Sequence, residues 1–117
     1  ATTEIYTLSH TTLFRFLVIK ASVGTLFKMP IIRTSSLTET LQHFKTEGAR
    51  VYTLSSHAKE SYRSMRYTDK TIFVLGNESE GVSRPVAKLS DESIVIPMQR
   101  GVESLNVAVT ASLLAFL

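Results

Sequence analysis

Residues that could bind a ligand and orient a hydroxyl group are concentrated in two segments of the second half of the chain. The first is FVLGNESEGVS at 73–83, and the second is IPMQRGVESLNVAVTASLLAFL at 96–117. Each begins in an apolar stretch, 72–75 or 93–96, that predicts a β-strand. In open α/β sheets, ligands bind at the carboxyl ends of strands, where small residues let backbone groups reach the ligand. The two segments therefore predict one shared pocket.

The first segment contains a loop in which Gly76 and Gly81 bracket four polar residues, two of them carboxylates. A phosphate cradle is unattractive here because the carboxylates would repel a phosphate and no lysine follows the glycines. Pro85 suits the first turn of a helix that Ser83 or Arg84 caps. Taken alone, the loop is read most simply as a connector whose glycines satisfy turn geometry.

The second segment contains a loop with Gly101 and Glu103, followed by Ser104 and Asn106 at the start of a predicted helix. Ser104 is placed to cap that helix, and no histidine lies nearby in sequence to activate it as a nucleophile. Asn106 is a mediocre helix former among apolar neighbours. If its amide is buried, it must be hydrogen-bonded, either to the loop or to a ligand, and both alternatives stay open.

The elements that must position these loops follow a strand–helix alternation. The clearest helix begins at Ser36, which forms a capping box with Glu39, and stops at Gly48. Residues 55–70 are predicted as a surface loop or a ragged helix, and 1–8 and 11–27 are ambiguous. Further strands are predicted at 30–33, 50–54, 71–75 and 93–96, and further helices at 84–89 and from about Leu105. This order predicts an α/β fold with a mainly parallel sheet covered on both faces.

Composition sets the limits of this fold. The 117 residues with 44% hydrophobic content predict one domain over 1–117, and the net charge of +3 permits an RNA partner without demanding one. The absence of cysteine excludes disulfides and thiolate metal sites and suits the cytoplasm. Three scattered histidines predict no metal site. No stretch is long and apolar enough to predict a membrane span, and the start does not resemble a signal peptide.

Taken together, these segments resemble the SpoU/TrmH family of RNA 2′-O-ribose methyltransferases, which belong to the SPOUT class. The pattern Gly-x-Glu-x-x-Gly-Val-Ser at 76–83 resembles the second family motif. Ile-Pro-Met at 96–98, Gly101 and Ser-Leu-Asn-Val-Ala-Val at 104–109 resemble the third almost position for position. The stretch KASVGTLFKMPII at 20–32 resembles the segment that enters the second half of the family domain.

The resemblance implies a deep C-terminal trefoil knot, S-adenosylmethionine as cofactor, a homodimer with active sites at its interface, and methylation of rRNA or tRNA. It places the catalytic pocket at Glu78, Ser104 and Asn106. Around that pocket we expect cofactor contacts from Leu75, Gly76, Asn77, Ile96, Met98, Gly101 and Leu105. Basic residues of the segment 59–70 would contact RNA phosphates through Lys59, Arg63 and Arg66, with base stacking by Tyr62 and Tyr67.

The chain departs from the family at its first motif, which carries an asparagine and a catalytic arginine. Its only asparagines are Asn77 and Asn106, and 19 residues precede Lys20. Arg33 follows the segment that should come after that motif, and we interpret it as a strand end. We therefore expect a domain truncated at its N-terminus. The apolar run 113–117 has no glycine, proline or basic last turn to end the helix, so we also expect a truncated or engineered boundary at the C-terminus.

Three hypotheses for function follow. The leading one is an S-adenosylmethionine-dependent RNA ribose methyltransferase. Because the first-motif arginine is missing, the activity of this chain by itself stays open. The second is a non-catalytic RNA-binding or dimerisation module that keeps the SPOUT fold. The third is an unrelated nucleotide-binding α/β domain.

Overall fold

The computed structural model describes residues 32–76, 81–99 and 107–117. Contacts within the chain divide it into two compact units, Ala1–Ser36 and Leu37–Leu117. Every helix and strand reported below belongs to the second unit. The predictions for 1–8 and 11–27 lie outside the described residues.

The second unit is built on a four-stranded parallel sheet. Its strands are β1 (Arg50–Leu54), β2 (Glu60–Ser61), β3 (Thr71–Val74) and β4 (Glu92–Val95), in the order β2-β4-β1-β3. Thr53 of β1 pairs with Val74 of β3 on one side and with Ser93 of β4 on the other. The parallel pairing confirms the predicted α/β fold. The trefoil knot stays a prediction.

Helix α1 (Leu37–Thr46) ends as its sequence predicts. Gly48 has a φ of 93°, a left-handed conformation that side chains disfavour. Its N–H donates to the carbonyl of Lys45 over 3.0 Å, and the N–H of Ala49 donates to Phe44 over 3.0 Å. This pair of bonds is the Schellman motif, in which a glycine lets the chain satisfy the last helical carbonyls and turn into β1.

Two further helices complete the unit. Helix α2 (Arg84–Leu89) spans the predicted residues, with Ser83 in extended conformation at its N-cap and proline in its first turn. Helix α3 (Val107–Ala115) agrees with the predicted terminal helix within the described residues. None of the helices in the described ranges is long and apolar enough to cross a membrane.

The strands bury alternate residues on opposite faces of the sheet. Val51 and Val74 pack with Leu41 of α1 and Val86 of α2 on one face. The other face carries a second cluster, here called the aromatic cluster, formed by Tyr52, Tyr62, Ile94 and Leu114. Because α3 contributes Leu114 to this cluster, helices cover both faces of the sheet, as predicted.

The segment 55–70 differs from its prediction as a loop or ragged helix because it contains β2 and contributes to the core. Tyr62 is only 6% exposed. The ring of Tyr67 packs edge-on against Tyr52 at 5.1 Å and against Phe73 at 5.2 Å between centroids. Burial, reinforced by nearby Tyr52 and Tyr62, raises the pKa of Tyr67. Base stacking by Tyr62 was therefore a wrong prediction, because the aromatic cluster buries its ring. Stacking by Tyr67, which is half-buried, stays a prediction.

The predicted strand at 30–33 is not seen in its described part. Ile32 and Arg33 are exposed and belong to no strand. The sequence there has local β propensity, but a strand exists only where a neighbour completes its hydrogen bonds. The interpretation of Arg33 as a strand end was therefore wrong.

An ionic contact ties β1 to the segments around it. The carboxylate of Asp91 accepts a hydrogen bond from the N–H of Val51 at 2.8 Å and lies 3.4 Å from the Lys45 ammonium. Lys45 also donates to the carbonyl of Leu89 over 2.7 Å. The Val51 N–H bond, with help from Lys45, lowers the pKa of Asp91 below its ordinary 3.8. A carboxylate with a depressed pKa stabilises the fold above its ordinary pKa and loses that effect as pH falls through the folded value.

We expect Asp91→Asn to lower the free energy of unfolding by about 1 kcal/mol at pH 7, because a charge-assisted hydrogen bond becomes a neutral one. The difference from wild type should shrink steadily below about pH 4. Urea unfolding at pH 7 and pH 3 measures both values. Asp69→Asn is the matched control, since Asp69 is exposed and has no ion pair within the described ranges. An equal loss at both pH values would contradict the electrostatic explanation.

Candidate functional site

The predicted cofactor residues that the structure describes lie at one edge of the sheet. Leu75 and Gly76 directly follow β3, and Ile96 and Met98 follow β4. Because all strands are parallel, these carboxyl ends meet at the same edge. Both Leu75 and Ile96 pack against the aromatic cluster. The structure thus brings together the starts of the two loops that the sequence assigns to one pocket.

Gly76 lies where the chain passes very close to itself. A Cβ atom at this position would lie 2.6 Å from the amide nitrogen of Val82 and 2.7 Å from the Cα of Gly81. Both distances are far below van der Waals contact, so no side chain fits without moving the backbone. Gly81 has a φ of 71°, but a Cβ atom added to it would meet no atom within 4 Å. The first loop therefore depends on Gly76 for close approach and on Gly81 for backbone conformation.

The central strand also contributes to this edge, which the sequence alone did not indicate. Strand β1 lies between β3 and β4, and Leu54 at its carboxyl end packs against the aromatic cluster together with Leu75 and Ile96. The next residue, Ser55, donates its N–H to the carbonyl of Ile94 over 3.0 Å. The strand-end rule applies to β1 as well, but the order of the strands was needed to place it between the two loops.

This edge combines apolar side chains with backbone that continues past the sheet. Leu75, Ile96 and Met98 are half-buried, so each offers apolar surface beside backbone that lies beyond the last paired residues of the sheet. Small-molecule sites combine such apolar walls with a few fixed polar groups. Several predicted site residues lie outside the described residues: Asn77, Glu78, Gly101, Ser104, Leu105 and Asn106.

The predicted RNA-binding residues Lys59, Arg63 and Arg66 are all exposed. Of these three side chains, Arg63 has the most contacts with its surroundings. Its Nε donates to the hydroxyl of Tyr62 over 2.9 Å, and its guanidinium carbon lies 5.5 Å from the centre of the Tyr62 ring. The N–H of Tyr62 in turn donates to the carbonyl of Val95 over 2.9 Å. Arg63 is therefore held beside the strand end that leads into Ile96.

A shallow groove of about 360 Å³ runs beside this arginine. Tyr62 and Arg63 form one wall, and five residues between 109 and 117 form the other. Several of those are exposed apolar side chains: Val109 is 47% exposed, Leu113 37% and Phe116 89%. The groove thus joins a cationic wall to an apolar one.

The similarity of the chain to known proteins covers nearly its whole length. Residues 2–116 match the SpoU rRNA methylase family. The chain belongs to this family. A protein of Staphylococcus aureus strain COL, named as a TrmH-family tRNA/rRNA methyltransferase, is 35% identical over 99 residues. The match covers 85% of this chain and 40% of that protein, so the chain spans less than half the length of the relative.

Solved structures with similar folds agree with this membership. An RNA 2′-O ribose methyltransferase superposes with a TM-score of 0.84 at 26% identity, over 99% of this chain and 44% of that one. An AdoMet-bound rRNA methyltransferase from Sinorhizobium meliloti has a TM-score of 0.84 at 24% identity, over 99% and 44% of the two chains. The fold is therefore that of the SPOUT methyltransferases, and an unrelated nucleotide-binding domain is excluded.

Proposed function

We propose that this chain is part of an enzyme that transfers a methyl group from S-adenosylmethionine to a ribose 2′-hydroxyl of rRNA or tRNA. The observation that carries the proposal is the convergence of Leu75, Gly76 and Ile96 at one sheet edge in a member of the SpoU family. The names of its relatives support RNA methylation. One solved neighbour, an RNA 2′-O ribose methyltransferase, supports the ribose hydroxyl as acceptor.

S-adenosylmethionine fits the described edge. Leu75, Ile96 and Met98 would hold its apolar parts, and the tight passage at Gly76 would present backbone rather than a side chain. From the sequence, Asn77, Gly101 and Leu105 would complete the contacts. When bound, this cofactor supplies an electrophilic methyl group on a positively charged sulfur.

The enzyme must align and deprotonate a weak nucleophile, and the residues of this chain named here serve the alignment. In-line transfer requires the 2′-hydroxyl oxygen to face the methyl group, and positioning of this kind accounts for a large share of the barrier reduction. Ser104 and Asn106 would orient the hydroxyl and the ribose through uncharged hydrogen bonds. Glu78 would accept a hydrogen bond and so orient the hydroxyl, rather than act as the base.

The proposed enzyme works as a homodimer, and the exposed apolar residues of α3 support this part of the proposal. Val109 and Leu113 lie one helical turn apart and line the same groove as Phe116. Apolar surface of this kind marks contact with another protein surface. We further propose that the enzyme is cytoplasmic, in keeping with a sequence that has no cysteine.

Val109→Asp is expected to shift the protein from dimer to monomer, because it places a charge in an apolar contact surface. Sedimentation velocity over a range of protein concentrations measures the change. Ala87→Asp on α2 is the matched control, since it puts the same charge on an exposed helical position away from α3. A V109D protein that stays dimeric would remove this surface from the interface.

A second candidate function is a non-catalytic RNA-binding or dimerisation module. It is favoured by our expectation from the sequence that this chain has no counterpart of the family's first motif, which supplies the catalytic arginine. The test is to incubate the full chain with methyl-labelled S-adenosylmethionine and unmodified rRNA or tRNA transcripts, and to measure cofactor binding by calorimetry in parallel. Cofactor binding with label in RNA supports the enzyme, whereas binding without transfer supports the module. No cofactor binding contradicts the proposed site itself.

A further inference from the structure

We propose that Arg63 is the fixed phosphate contact of the RNA surface, and that Tyr62 is the residue that positions it. This inference rests on the proposed function, because it assumes that RNA reaches the sheet edge formed by Leu75 and Ile96. It separates Arg63 from Lys59 and Arg66, which composition alone treats as equivalent. The separation comes from the contacts of the three side chains.

Arg63 is held by two contacts with one neighbour. The Nε–H bond to the Tyr62 hydroxyl spans 2.9 Å, and the guanidinium carbon lies 5.5 Å from the centre of the same ring, so both contacts hold the guanidinium beside Tyr62. Among the described residues, Arg63 uses only Nε in a side-chain hydrogen bond and forms no ion pair with a carboxylate, so both terminal nitrogens keep their donors there. A planar guanidinium that presents two parallel donors matches the oxygens of a phosphate. Little side-chain entropy remains to be lost on binding.

Tyr62 can hold Arg63 because it is itself fixed. Its ring is 6% exposed within the aromatic cluster, and its N–H donates to Val95 over 2.9 Å. Its carbonyl accepts a hydrogen bond from the Tyr67 hydroxyl. The position of the guanidinium is thus set by the sheet and by the core, rather than by a surface loop. Lys59 and Arg66 show no comparable contact in the part of the chain that the structure describes.

The position of Arg63 suits a substrate contact. Val95, to which Tyr62 is bonded, immediately precedes Ile96 at the start of the second loop. A phosphate held by Arg63 would therefore lie beside the place where the proposed methyl donor binds. Backbone contacts of this kind set the register of an RNA without reading its sequence. Arg63 would thus help to decide which ribose faces the cofactor.

The experiment measures the affinity of the full chain for unmodified tRNA and rRNA transcripts at several salt concentrations. Arg63→Ala is expected to weaken binding about tenfold and to reduce the slope of log affinity against log salt by about one contact. Lys59→Ala and Arg66→Ala, the matched controls, should each weaken binding about twofold or less, as mobile surface charges do. Arg63→Lys should keep the salt slope but recover only part of the affinity.

A second pair of variants tests the role of Tyr62. Tyr62→Phe keeps the buried ring and removes only the hydroxyl that binds Nε, so the fold should persist. It should weaken RNA binding about threefold when Arg63 is present and have no effect when position 63 is alanine, as coupled residues do. An additive loss in the double variant Y62F/R63A would overturn the positioning role.

Other outcomes separate this inference from the proposed function. Arg63→Ala with RNA affinity equal to that of the controls overturns the inference, while methyl transfer by the wild type would still stand. A loss of S-adenosylmethionine affinity in R63A would assign the arginine to the cofactor carboxylate. Dissociation of R63A to monomers would assign it to the dimer interface. Either result overturns the inference. If RNA binding depends on Arg63 but no methyl group is transferred, the proposed enzyme activity is overturned and the inference about Arg63 stands. Failure of the wild type to bind RNA overturns both.

Discussion

Gly76→Val is expected to abolish S-adenosylmethionine binding and to disrupt the first loop. The Cβ of any side chain here would lie 2.6 Å from the amide nitrogen of Val82, so the backbone of Gly76 or of Gly81–Val82 must move. A valine would therefore collide with the loop itself as well as occupy space where a ligand would meet the backbone. We expect affinity to fall at least about 100-fold, which corresponds to about 2.7 kcal/mol. The cost in folding stability should be about 1–3 kcal/mol.

Calorimetry measures the affinity, and thermal unfolding checks that the variant is folded. Gly81→Ala is the matched control because its Cβ would enter open space, and the variant suffers only from the φ of 71°. That strain costs about 1 kcal/mol, so G81A should retain most of its cofactor binding. Normal affinity in a folded G76V protein would remove Gly76 from the cofactor site.

Asn106→Ala is expected to abolish methyl transfer while leaving the fold and most of the cofactor affinity intact. The amide of Asn106, which precedes α3 in the sequence, can donate to one partner and accept from another, and this suits the orientation of a ribose hydroxyl. Losing one such positioning group lowers kcat about 100- to 1,000-fold in comparable sites. Asn106→Asp should be equally impaired, because the carboxylate can no longer donate.

Steady-state kinetics with saturating RNA, together with calorimetry and thermal unfolding, give the three readouts. Gln99→Ala is the matched control, since it removes an exposed amide from the same loop. Unchanged kcat in a folded N106A protein would take Asn106 out of the site. A large loss of folding stability would instead assign its amide to the loop, the alternative that the sequence left open.

The elements that the sequence predicts well are those specified by local chemistry. Helix α1 stops where a left-handed glycine must follow, and α2 starts where proline suits a first turn. Strands β3 and β4 are short apolar stretches before glycine-bearing loops. Each of these signals lies within a few residues of the feature that it predicts.

The features that the sequence did not predict depend on distant neighbours. Strand β2 has only two residues and exists because Glu60 and Ser61 pair with β4. Tyr62 and Tyr67 lie among charges in sequence, yet Tyr62 is buried and Tyr67 packs against Tyr52 and Phe73, because the segment crosses a face of the sheet. The hydrophobic periodicity and the composition of a segment cannot show that it crosses a sheet.

The candidate site divides in the same way. The strand-end rule places Gly76 and Ile96 correctly at a common edge, because it follows from parallel pairing alone. Two features of the site are not revealed by spacing in the sequence: the close approach of Gly76 to Gly81, and the hydrogen bond from Arg63 to the Tyr62 hydroxyl. The first of these explains why a glycine is required, and the second distinguishes one arginine from its basic neighbours.

The most direct test of the proposed chemistry is the identity of the methylated nucleoside. Unmodified rRNA and tRNA transcripts are incubated with the full chain and S-adenosylmethionine carrying a heavy methyl group, digested to nucleosides and analysed by mass spectrometry. We expect the heavy methyl group to appear on a ribose 2′-oxygen and to be absent with N106A. A heavy methyl group on a base, or unlabelled RNA despite bound cofactor, would contradict the proposed chemistry.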